Sequence, residues 1–230
     1  MLNVQFWRGA LLLSPLCALL LACQGESTDT PKGAKGTTIA TAAGAQGNTP
    51  ATQTTISANT KLGAQLNLDD QQDFNDATRG LIAAPPSLQV AGPGNFPVWD
   101  MPAFEFVKGG APDTVNPSLW RQATLNNNHG LYKVTDGVYQ LRGFDISNMS
   151  LIEGHTGWIV VDPLTTRETA AAAIAFAREH LGNKPVSAII FTHSHIDHFG
   201  GVLSVLGAGE NTEIVAPVGF MEEATSENVI

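Results

Sequence analysis

Residues 186–201 read Val186-Ser187-Ala188-Ile189-Ile190-Phe191-Thr192-His193-Ser194-His195-Ile196-Asp197-His198-Phe199-Gly200-Gly201. The largely apolar run from Val186 to Thr192 predicts a strand buried on both faces. Three of the chain's six histidines and one aspartate crowd together at its carboxyl end. His193 and His195 stand two apart on extended backbone, so both imidazoles project to one side and can share one metal ion. Asp197 and His198 fall where the chain turns and can reach a second ion. Nitrogen and carboxylate ligands without thiolate suit zinc, and a pair of ions about 4 Å apart lowers the pKa of a bridging water towards 7. Gly200-Gly201 predicts a close approach of backbone to those ions and the opening of a short helix near Val202 to Leu206.

Working outward, Pro185 stops an Ala-rich helix that ends near Leu181-Gly182. Thr165-Thr166-Arg167-Glu168 has capping-box spacing, with Thr165 as N-cap and Glu168 reaching back. Before it, Trp158-Ile159-Val160-Val161 reads as a second buried strand ending in Asp162. Asp162 either caps the turn at Pro163 or orients a metal ligand, and the second reading is preferred. Gly154 to Gly157 is a hairpin turn after alternating strands at Met149–Glu153 and Val138–Arg142, and a last strand follows at Ile214–Ala216. Strands alternating with helices give an α/β layered core.

The flanks carry less chemistry. Residues 81–118 are rich in proline, which breaks helix and sheet and predicts an ordered loop wrapped on a core through Trp99, Phe104, Phe106 and Trp120. A polar stretch from Leu62 to Thr78 is helical around Asp69–Thr78. Residues 24–60 are Thr, Ala, Gly, Gln and Ser with almost no bulky apolar side chain, a composition expected to stay an unstructured tether. Arg8 and the apolar run to Ala22 form a signal-peptide core too short to span a bilayer. Leu20-Leu21-Ala22-Cys23 is similar to a bacterial lipobox, which implies lipidation at Cys23 and an exported, membrane-anchored chain, periplasmic or at the outer membrane. The organisation expected is therefore signal peptide 1–22, tether 23–60, wrapping segment 61–120 and catalytic-domain part 121–230. Both cysteines, Cys17 and Cys23, lie in the leader, so neither a disulfide framework nor a thiolate zinc site holds the folded part. A formal charge of −9 repels the phosphate backbone and sets nucleic acid aside as a partner.

The pattern H-x-H-x-D-H after an apolar strand, with an aspartate ending the preceding strand, resembles the metallo-β-lactamase superfamily. Asn116 to Gln122, Asn127 to Gln140, Arg142 to Met149 and Thr192 to Gly201 further resemble its linear primary alkylsulfatases, the dodecyl-sulfate hydrolases. The resemblance spans roughly residues 80–230. It implies the amino-terminal half of an αββα sandwich and a binuclear zinc hydrolase that cleaves alkyl sulfate esters to alcohol and sulfate through a metal-bound hydroxide. His193 and His195 match ligands of one zinc, Asp197 and His198 those of the other, and Asp162 the strand-end aspartate, with Asp162 and Asp197 placed in the catalytic centre. An apolar groove would hold the tail, at about 0.8 kcal/mol per buried methylene.

That family completes its metal site with later carboxylates and a histidine, and adds dimerisation and sterol-carrier-like domains. The chain is accordingly expected to be the first part of a longer, homodimeric protein, inactive alone, with its remaining ligands beyond residue 230. Other readings kept open are a lactonase or phosphodiesterase on the same fold, and a non-catalytic metal-binding surface lipoprotein. Arg121, Asn127, Asn128 and Asn148 are read as structural, His129 and His155 as surface histidines, His180 as a complement to its helix dipole, and Glu222, Glu223 and Glu227 as a solvated acidic face.

Overall fold

The computed structural model describes residues 49–206 and 212–229; the expected leader, Cys23 and most of the tether lie outside them. In chain order the elements are α1 (Gln53–Gly63), α2 (Gln72–Thr78), β1 (Leu81–Ala83), β2 (Gln89–Ala91), β3 (Pro97–Asp100), α3 (Pro117–Asn126), β4 (Gly130–Thr135), β5 (Val138–Arg142), β6 (Met149–Glu153), β7 (Trp158–Val161), α4 (Arg167–Leu181), β8 (Val186–Ile190), β9 (Glu213–Val215) and α5 (Phe220–Val229). Seven strands form one mixed sheet in the order β1-β4-β5-β6-β7-β8-β9, and β2 and β3 form a separate hairpin. The sheet is antiparallel from β1 to β7 and parallel from β7 through β8 to β9. None of the described helices is long and apolar enough to cross a membrane.

Burial explains the order. Leu131, Leu141, Met149, Leu151, Val160 and Ile189 are fully buried and join one core with Ala170, Ala173, Ile174 and Ala177, the apolar stripe of α4. The three alanines of that stripe let α4 lie close to its neighbours, and the β2–β3 hairpin packs against the same helix. The parallel step from β7 to β8 needs this crossover helix, and it places the carboxyl ends of both strands side by side. Ligand sites of such sheets form at those ends.

Several expectations change. Residues 53–60, expected to be tether, are helical: Thr52 caps α1 by accepting from the Thr55 N–H at 3.2 Å, and Asn59 donates to the Asp113 carbonyl at 2.9 Å. A polar composition does not stop a capped helix that leans on α3. The wrapping segment holds β1, β2 and β3, with Pro97 at a strand start, Pro93 and Pro102 opening 3₁₀ turns and Pro117 at the first position of α3. Thr166, not Thr165, is the N-cap of α4, with Thr169 reciprocating in place of Glu168. Thr165 is drawn off by Asp145, which accepts its hydroxyl at 2.7 Å. His129 is not a surface residue: it is half-buried, between the carbonyls of Asn127 and Pro85, each 3.2 Å from a ring nitrogen.

Candidate metal centre

Strand β7 ends in a strained turn. Asp162 and Leu164 have φ of 56° and 64°, the only left-handed non-glycine residues among those described. Such conformations cost about 1–3 kcal/mol and persist where surroundings over-determine them. Here the Asp162 carboxylate is the surrounding. Its Oδ1 accepts the Thr192 N–H at 2.8 Å, and its Oδ2 accepts the Thr192 hydroxyl at 2.7 Å. The end of β7 is thereby stapled to the residue that launches the histidine cluster.

The same oxygen, Oδ2, lies 2.8 Å from His198 Nδ1. A carboxylate accepts, so His198 carries its proton on Nδ1 and turns the lone pair of Nε2 outward. Because the Thr192 hydroxyl has given its proton to Asp162, its oxygen accepts from His193 Nδ1 at 2.9 Å. His193 Nε2 is then also a lone pair. It faces His195 Nδ1 at 3.0 Å, while His195 Nε2 is 3.6 Å from Glu227 Oε1. On the other side, His198 Nε2 is 3.1 Å from Asp197 Oδ2.

The Asp197–His198 gap sets acceptor against acceptor, which a metal ion or an added proton relieves, whereas the other gap is closed in the metal-free protein when His195 donates its Nδ1–H to His193 Nε2. Two ligands at 2.0–2.1 Å on a tetrahedral zinc are about 3.3 Å apart, close to both separations, so the donor set fits the metal. The fit is partial. Among the described residues no three His, Cys, Asp or Glu side chains converge on one point, and each pair offers two donors where catalytic zinc sites have three.

Other supports were not foreseen. Glu227, read as solvated, accepts from the Ser194 hydroxyl at 3.1 Å. The buried Ser147 donates its hydroxyl to the Asp197 carbonyl. Beside it the buried Asp145 takes four donors, the N–H groups of Ile146 and Thr165 and the hydroxyls of Thr165 and Thr169, so the β5–β6 loop is tied to the start of α4. Gly200 and Gly201 lie close against backbone: a Cβ at Gly201 would lie 2.3 Å from the Pro163 carbonyl oxygen and 2.5 Å from Ala170. Arg121 is a brace, 2.7 Å from Asp73 and stacked over Phe74. Asn127 donates to the Phe104 and Val107 carbonyls, Asn148 borders a cavity, and His155 is exposed at its hairpin tip.

Comparison with known proteins agrees with the fold. A model of the metallo-β-lactamase superfamily matches residues 142–227, from the end of β5 through the cluster to α5. A linear primary-alkylsulfatase from a Pseudomonas species is 45% identical over 99% of this chain and 32% of its own length. An alkyl/aryl-sulfatase of Saccharomyces cerevisiae is 46% identical over 77% of this chain and 28% of its own. The chain is an alkylsulfatase homologue. The solved structure of a stereoselective inverting sec-alkylsulfatase from a Pseudomonas species superposes with a TM-score of 0.74 at 45% identity, covering 79% of this chain and 29% of that one. The homologue thus has the metallo-β-lactamase fold, on a mixed sheet, and spans about a third or less of the length of these relatives.

Proposed function

We propose that this chain contributes the amino-terminal half of the metal centre of a zinc-dependent hydrolase acting on alkyl sulfate esters. The observation that carries the reading is the pairing of His193 with His195 and of Asp197 with His198, each pair with donor atoms about 3 Å apart, in a chain related to alkylsulfatases along its length. Zinc bound there lowers the pKa of a water towards neutrality and supplies Lewis acidity towards an ester oxygen. Two ions are proposed, one per pair.

The chain's own residues have distinct tasks in this reading. His193 and His195 present Nε2 and Nδ1 to one ion; Asp197 and His198 present Oδ2 and Nε2 to the other. Asp162 holds the proton on His198 Nδ1 and, through Thr192, that on His193 Nδ1, so that both Nε2 atoms stay free. Ser147 fixes the backbone of Asp197. The third ligand of each ion is proposed to come from residues outside those described. Anchorage at Cys23 and dimerisation belong to the same proposal.

The test is release of inorganic sulfate from decyl sulfate by the full protein. Activity should fall by at least three orders of magnitude in a His193→Ala/His195→Ala variant. It should vanish on chelation and return with zinc. Unchanged sulfate release by that variant, or hydrolysis of a lactone instead, would overturn the reading.

A further inference from the structure

A cavity of about 460 Å³ lies between the β5–β6 loop, α3 and the segment after β3. None of the cluster histidines lines it. Its walls are mixed, with Trp99, Met101, Phe104 and Val107 forming an apolar side and Asn126, Asn127, Asn128 and Asn148 a polar one, and its one cationic lining residue is Arg142. That guanidinium lies over the Tyr132 ring, 4.4 Å from its centroid, and Arg142 Nε donates to Gln140 at 2.7 Å. Among the described residues its two terminal nitrogens have no hydrogen-bond partner and no carboxylate within ion-pair distance, so four N–H donors are left for a ligand. Asp145 also borders the space, but its oxygens are taken by Thr165, Thr169 and the Ile146 N–H.

A pre-positioned cation beside the apolar side of a cavity of this size complements a molecule with one anionic head and a flexible hydrocarbon tail. We infer that this cavity is a binding site for linear amphiphilic anions, with the head on Arg142 and the tail against Trp99, Met101 and Val107. Arg142 ends β5, three strand spacings from β8, so its column stands about 14 Å from the one that launches the histidines. The two places share one end of the sheet and are joined by the loop in which Ser147 touches Asp197. The site is thus separate from the metal centre and adjacent to it, suited to hold a second alkyl sulfate or to retain substrate before turnover. The inference rests on the proposed function only for the choice of alkyl sulfate as ligand.

The experiment is calorimetric titration of the chelator-treated protein with decyl sulfate, octyl sulfate and decanol, all below micelle-forming concentrations. One decyl sulfate should bind without zinc, and octyl sulfate about fifteenfold more weakly, from about fourfold per methylene. Arg142→Gln should weaken decyl sulfate at least tenfold and leave decanol within twofold, while Arg142→Lys recovers part of the loss. Ala123→Phe, which fills the cavity from α3, should abolish binding of all three with zinc uptake unchanged. Binding that requires zinc, or equal decyl sulfate affinity in Arg142→Gln, overturns the inference and leaves the hydrolase reading standing. Metal-free binding by a protein that releases no sulfate from decyl sulfate does the reverse.

Discussion

The two donor pairs sit within six residues of one another, yet the fold supports them differently. Asp197 and His198 are about three-quarters buried and held from outside their own turn, by Ser147 on the Asp197 carbonyl and Asp162 on His198. His195 is 61% exposed, and its outer nitrogen meets only Glu227, at 3.6 Å. Spacing alone makes the pairs look equivalent. Their surroundings make one pair preorganised and, in the other, orient His193 through Thr192 but leave His195 dependent on what binds, because a ligand whose ring is already oriented gives up less rotamer freedom on binding.

The largest effect is expected where the comparison collapses. Asp162 serves both pairs, directly through His198 and through Thr192 to His193, so Asp162→Ala should equalise them by weakening both. Zinc affinity, by chelator competition, should fall about 100-fold at each pair. Stability should fall by about 2–3 kcal/mol, since the Thr192 N–H and hydroxyl lose their acceptor. A variant that loses affinity only at Asp197/His198 would show that the Thr192 relay does not act on His193.

Gly201→Ala probes the scaffold beneath both pairs. The added Cβ meets backbone oxygens of Pro163 and Thr166 as well as Ala170, so the β7–α4 turn must shift. A loss of about 3 kcal/mol in denaturant unfolding is expected, within the range of overpacked sites. Wild-type stability in this variant would mean that the turn is slack and that Asp162 is not held by it.

Ser147→Ala should separate the pairs. It removes a single hydrogen bond, worth about 1 kcal/mol, and its acceptor is the Asp197 carbonyl. Zinc affinity at Asp197/His198 should drop about tenfold, while the ring resonances of His193 and His195 titrate with zinc as in the wild type. An equal drop at both pairs would dissolve the distinction.

How much of this was legible depends on the range of the interaction. Strands β5 to β8, α4 and the hairpin turn at Gly154–Gly157 follow from local periodicity and punctuation, which a single sequence displays. So does the histidine cluster. The capping of α4 slips by one residue because Asp145, 20 positions away, claims Thr165. Helix α3 carried a readable signal, Asn116 as N-cap and Pro117 at the first helical position, which was submerged in the proline content of its surroundings. Strand β4, Leu131-Tyr132-Lys133-Val134-Thr135, has no clean alternation, being buried in its first half and exposed in its second, so its pattern gave no local signal. Ser147 on Asp197 and Glu227 on Ser194 join residues 50 and 33 positions apart. No local pattern encodes such contacts; only the assembled sheet and the return of α5 create them.

The smallest effect belongs to the exposed pair. Glu227 accepts from Ser194 and faces His195 Nε2, so its carboxylate favours the tautomer with the proton on Nε2 and the lone pair on Nδ1. Water competes freely at this exposure, and surface pairs contribute about 0–1 kcal/mol. Glu227→Gln should therefore lower zinc affinity at His193/His195 by about threefold or less and leave Asp197/His198 untouched, with nitrogen-15 spectra showing a smaller Nε2–H fraction on His195. A tenfold loss would mean that α5 closes over the metal more tightly than a 3.6 Å contact allows, and the exposed pair would then be as well supported as its neighbour.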